Sequence, residues 1–175
     1  MTPAGIPYRT PEPTAPAVPA TNTVTPTVAP EPMAPAPLWL RGEPEARAIE
    51  EFFARRGAPL AAHAALMVEA ATRYDIDWRL MPVIAVLESG GGIHACGGNA
   101  WGWGSCNLRP LGSFEEGIEL VAATLAAPPY AGMSTETALC IWVSGRGCSN
   151  AEASEYARKG VMLADQLEEL SVVLP

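Results

Sequence analysis

The chain has 175 residues, of which 49% are hydrophobic and 17% charged, with a net charge of −8 and four cysteines. That is enough for one domain with a real core, with or without a tail. The acidic balance and the absence of any basic run exclude a nucleic-acid binder of the phosphate-clamping kind, and the longest wholly apolar run, "LMPVIAVL", is far short of the roughly 20 residues a membrane helix needs.

Residues 1–38 are a different material from the rest. Eleven of the 18 prolines fall before Leu38, among Thr, Ala and Val, and only Arg9, Glu12 and Glu31 are charged. Proline removes backbone donors and favours extended conformations, so this stretch is predicted to be a disordered, semi-rigid spacer. A ligand for proline-reading domains is the alternative. The tail contributes −1, which leaves −7 for the domain predicted over 39–175. "MTPAGIPYRT" lacks the basic start and apolar stretch of a signal peptide.

Six helices are predicted in chain order. Glu43–Gly57 has helical spacing and ends on a glycine suited to a C-cap. Ala61–Asp75 is the second. Asp77–Ser89 is the third, with Asp77 as N-cap and Pro82 near the first turn, where a missing N–H costs least. It is apolar all round, so it is predicted to be central and buried. Ser113–Ala127 opens on a capping box of Ser113 and Glu116. Ser134–Val143 and Ala151–Leu170 complete the set. No run alternates with period two, so the fold class is all-α.

The cysteines, Cys96, Cys106, Cys140 and Cys148, allow three pairings. The spacings C-x9-C and C-x7-C include no C-x-x-C, and only His63 and His94 could help hold zinc, so a metal site fits poorly and none is expected. Each pair brackets a Gly-rich loop, which favours two local disulfides, 96–106 and 140–148, over buried free thiols. Disulfides imply an oxidising compartment, so the domain is expected to be secreted or held in the cell envelope, with any export signal upstream of Met1.

"VLESGGG" carries the first candidate chemistry. Glu88 ends the apolar helix, one and two turns beyond Ile84 and Met81 on the same face. An unpaired acid on an apolar face is costly, and desolvation raises a carboxyl pKa, as a general acid near neutral pH requires. A satisfied residue of the last helical turn is the plain alternative, although a glutamate there opposes the helix dipole. In "NAWGWGS", Trp101 and Trp103 flank a single glycine. Exposed indole faces stack on sugar rings; equally, one of the two could plug the core. Asn99 could bind an acetamido group or cap the turn.

"DIDWRLMPVIAVLESGGG", "NAWGWGS" and "SFEEGIELVAATL" together resemble the lysozyme-like superfamily of bacterial cell-wall glycosidases, which includes lytic transglycosylases and endo-β-N-acetylglucosaminidases. The likeness covers Asp75–Ile118 and extends more weakly to about Leu170. It implies a lysozyme-like helical fold and Glu88 as general acid. Ser89, Asn99, Trp101 and Trp103 would line the substrate path, with Tyr130 or Tyr156 as the aromatic residue near the cleft. The substrate would be peptidoglycan or a related N-acetylated glycan, cut at a β-1,4 link without a cofactor. "NAWGWG" stands where transglycosylases carry a "G-L-M/x-Q" loop. Most glycosidases use two carboxylates; Glu115, Glu116, Glu119 and Glu136 are the candidates for the second, and none stands out. The competing classes are a lysozyme-like module that binds glycan without cutting it, and a structural assembly factor of a phage tail or secretion machine.

Overall fold

The computed structural model describes residues 44–104 and 111–173. The spacer, Trp39, Ser105 and Cys106 lie outside the described residues. Among the described residues there are six α-helices and no strand, in agreement with an all-α class. No helix there is long and apolar enough to cross a membrane.

α1 spans Pro44–Ala54. Proline suits the first helical position, where its missing N–H has no partner to lose. Ile49, Phe52 and Phe53 form its buried face. The predicted second helix divides in two: a 3-10 turn over Pro59–His63, then α2 over Ala64–Tyr74. Pro59 opens the tighter turn, and the His63 backbone (φ −112°) breaks the α geometry before α2 begins.

α3 spans Leu80–Ser89, three residues shorter than predicted. Asp77 is therefore not the N-cap: that position falls to Arg79, which makes no side-chain cap bond, while Asp77 Oδ1 accepts from the Arg79 backbone N–H at 3.0 Å just ahead of the helix. Met81, Val83, Ile84 and Ala85 are fully buried. The burial is not continuous, however. Val86 and Leu87 are half-buried, and Glu88 is exposed. The helix surfaces at its C-terminal turn, so the prediction of a helix buried throughout holds only for its first half.

α4 spans Phe114–Leu125, α5 Thr135–Ser144 and α6 Ala151–Val173. Ser113 caps α4, its Oγ accepting from the Glu116 N–H, while Glu116 returns its own bond to the Gly112 N–H at 2.8 Å. The capping box is therefore displaced by one residue at its return bond. Ser134 caps α5 in the same way. α3 packs against α4, α5 and α6, while α5 and α6 pair with each other.

Cys140 and Cys148 form a disulfide with Cα atoms 4.9 Å apart, as predicted. It closes the link between α5 and α6. Cys96 is also disulfide-bonded; its predicted partner, Cys106, lies outside the described residues.

Candidate functional site

The site is built from the end of α3, the loop that follows, and the middle of α6. Gly90 continues past Glu88 in a left-handed conformation (φ +66°), which stops the helix and leaves the Glu88 carboxylate at the surface. The desolvation predicted from the apolar run therefore does not reach it. Its environment is made by two later parts of the chain instead. The Tyr156 hydroxyl, from α6, donates to Glu88 Oε1 at 2.6 Å. On the other side lies Gly102, where an added Cβ would stand 2.6 Å from Glu88 Oε2. Only a glycine allows the loop backbone so near. Burial, followed by the bond to Glu88, pushes the Tyr156 phenol pKa far above its usual value. Tyr156 thus stays a protonated donor at any working pH.

The loop divides its residues between core and surface. Trp101 is fully buried, and its Nε1–H donates to the Met81 carbonyl at 2.9 Å. A Cβ on Gly117 of α4 would stand 2.5 Å from both the Trp101 ring and the Gly98 carbonyl oxygen, so α4 closes on this indole through a glycine. The expectation that Trp101 offers a face to substrate is corrected: it is the indole that plugs the core. Ser89 is also buried, its hydroxyl donating to the Ala100 carbonyl (2.7 Å) and accepting from the Gly92 N–H (2.9 Å). Asn99 is buried too, and it holds Trp103 from both ends of its amide: Nδ2 donates to the Trp103 carbonyl and Oδ1 accepts from the Trp103 N–H. Ser89 and Asn99 therefore position the loop; their hydrogen bonds are spent within it rather than offered to a ligand.

Trp103 is the half-buried indole. Its ring lies 5.6 Å from that of Trp142 on α5, and Trp142 lies 5.9 Å from Tyr130. Trp103 and Tyr130 face a groove of ≈ 570 Å³, completed by Leu120, Thr124, Pro129 and Ile141. The structure thus brings Glu88 together with Tyr156, sets Trp103 one residue from the glycine that touches Glu88, and joins Trp103 to Tyr130 through Trp142. Trp142 and Gly102 were not singled out from the sequence. Gly102 was visible only as the residue between two tryptophans, and nothing in α5 marked Trp142 apart from its place two residues after Cys140.

The other acids considered are engaged elsewhere or stand on open surface. Glu115 pairs with His63 Nε2 at 3.0 Å, Glu116 with Gly112, and Glu119 with Arg73 and the Tyr74 hydroxyl. Glu136 is exposed on α5. Among the described residues no group of three or more His, Cys, Asp or Glu could hold a metal. No family model, curated protein or solved structure matches the chain.

Proposed function

We propose that this domain cleaves the glycan strand of peptidoglycan, or a related N-acetylated glycan, at a β-1,4 link, with Glu88 as the general acid. The observation that carries the reading is the 2.6 Å bond from Tyr156 to Glu88 Oε1, on an exposed glutamate that lies against Gly102 of the loop carrying Trp103. Because Tyr156 occupies Oε1, Oε2 is the oxygen placed to hand a proton to the bridging sugar oxygen. The C–O bond then breaks with its electron pair leaving on that oxygen, and the departing ring becomes oxocarbenium-like. Negative charge develops on Glu88 as the proton leaves. A fixed phenol donor stabilises that charge more than it stabilises the neutral acid, which is the differential binding that speeds a reaction. Water, or the sugar's own 6-hydroxyl, completes the step at the electron-poor carbon. With Glu115, Glu116 and Glu119 engaged elsewhere and Glu136 on open surface, the substrate's acetamido group is the natural assistant. The disulfide between Cys140 and Cys148 fits a site of action outside the reducing cytosol.

Replacing Glu88 with Gln is expected to lower the rate of fragment release from purified wall by about 10³-fold or more, since proton transfer and its electrostatics together supply that much. Full activity in E88Q would overturn the assignment. Mass spectrometry of the fragments identifies the bond, by anhydro-muramic, reducing muramic or reducing N-acetylglucosamine ends. The second reading, a module that binds glycan without cutting it, draws on the exposure of Glu88 and the engagement of Glu115 and Glu119 elsewhere. It predicts that the wild type retains glycan yet clears no wall in a zymogram.

A further inference from the structure

We propose that the groove faced by Trp103 and Tyr130 selects N-acetylated sugar rings that carry little charge, so that glycan stripped of its stem peptides is preferred over glycan that bears them, with Trp142 as the positioning residue that sets the two aromatic walls. This rests on the glycan reading above and narrows its substrate class.

Among the described residues, the lining of the groove contains no acidic or basic side chain. Its one ionisable group, the Tyr130 phenol, is pushed up by burial and stays neutral. Its one side-chain alcohol, on Thr124, donates to the Leu120 carbonyl at 2.8 Å and is spent within α4. Recognition there is left to ring faces and apolar walls, which suit the C–H faces of a sugar and the methyl of an acetamido group. A stem peptide brings several carboxylates and an ammonium, where stripped glycan keeps a single lactyl carboxylate on each muramic ring. Against this lining each would lose water without gaining a partner, and the carboxylates would also meet the field of a domain with a net charge of −7. The volume, ≈ 570 Å³, lies in the range of small-ligand sites.

Trp142 does not face the groove itself. Its ring contacts both Trp103 (5.6 Å) and Tyr130 (5.9 Å), which stand on a loop and on a turn far apart in the chain. It is therefore the part that makes one platform of two rings.

Binding is measured on E88Q, which keeps ligand intact, through intrinsic tryptophan fluorescence. Three probes are used: tetra-N-acetylchitotetraose, wall glycan stripped of peptide by an amidase, and the same glycan with its stem peptides. The first two are expected to bind at least 10-fold more tightly than the third. Trp142→Ala is expected to weaken the first two probes by about 10-fold or more and to narrow the preference, while Trp142→Phe restores most of both. Equal affinity for stripped and peptide-bearing glycan overturns the selectivity. Unchanged binding in W142A, with circular dichroism showing intact helices, overturns the role of Trp142. If the wild type releases no fragments while E88Q still discriminates among the probes, the catalytic reading fails and the groove reading stands.

Discussion

At the scale of single residues, Glu88 depends on partners more than on its own helix. The apolar run places it at a helix end, but Tyr156 and Gly102 supply its surroundings. A hydrogen bond to a charged group is worth about 1.5–3 kcal/mol. Tyr156→Phe is therefore expected to lower kcat by about 10- to 100-fold with little change in KM, because the bond matters most once charge has developed. Steady-state rates on soluble glycan fragments check this. A kcat equal to the wild type would reduce Tyr156 to a packing residue. The two buried polar residues of the loop, Ser89 and Asn99, act one step further out: by holding the loop shut, they decide where Trp103 and Gly102 stand.

At the scale of elements, α4 shows how one glycine can outweigh propensity. Inside a helix, Gly→Ala ordinarily stabilises by up to about 1 kcal/mol. At Gly117 the new methyl would enter the space of the Trp101 ring and the Gly98 carbonyl. Overpacking of that kind costs about 1–3 kcal/mol, so the sign reverses and Gly117→Ala is expected to destabilise. The strain would fall on the loop that carries Trp103, so glycan binding should weaken together with stability. Urea unfolding measures the first and fluorescence titration the second. A stabilised variant would mean that Trp101 yields without cost. The end of α3 makes the complementary point: Val86 and Leu87 continue its apolar run but are only half-buried.

At the scale of the whole molecule, Asp77 ties three regions together. Its carboxylate receives the Arg79 guanidinium and backbone N–H, and also the Thr135 hydroxyl at the start of α5, while Arg79 reaches Glu168 on α6. Burial alone would raise the Asp77 pKa, but the bonds from Arg79 and Thr135 outweigh it and hold the group below the usual carboxylate value. A depressed folded pKa means that this network stabilises the fold above the unfolded value of about 3.9, and that the contribution is lost as pH falls through that range. Asp77→Asn is expected to cost about 1–3 kcal/mol at neutral pH. It should also flatten the loss of stability between about pH 5 and pH 3. Thermal melts across that range test it; parallel curves for the two proteins would assign the acid sensitivity to other carboxylates. Glu155 also has a lowered pKa, about 2, next to Arg158, but this ion pair is exposed and screened and should matter little.

The sequence by itself determined the all-α class, six helices close to their observed bounds, the cap at Ser113, and the Cys140–Cys148 disulfide. These are local properties: helical periodicity, capping chemistry and short loops involve residues within a few positions of one another. It also named Glu88, Tyr156, Trp103 and Tyr130 as residues of interest. Only the tertiary structure decided that Trp101 is the core indole and Trp103 the groove indole, since both share one glycine-rich context and differ only in what later packs on them. It decided as well that Glu88 is exposed, that Tyr156, 68 residues away, bonds to it, and that Trp142 joins the aromatic walls. An apolar pattern reports which residues can be buried; whether a given one is buried depends on helices that arrive from far along the chain.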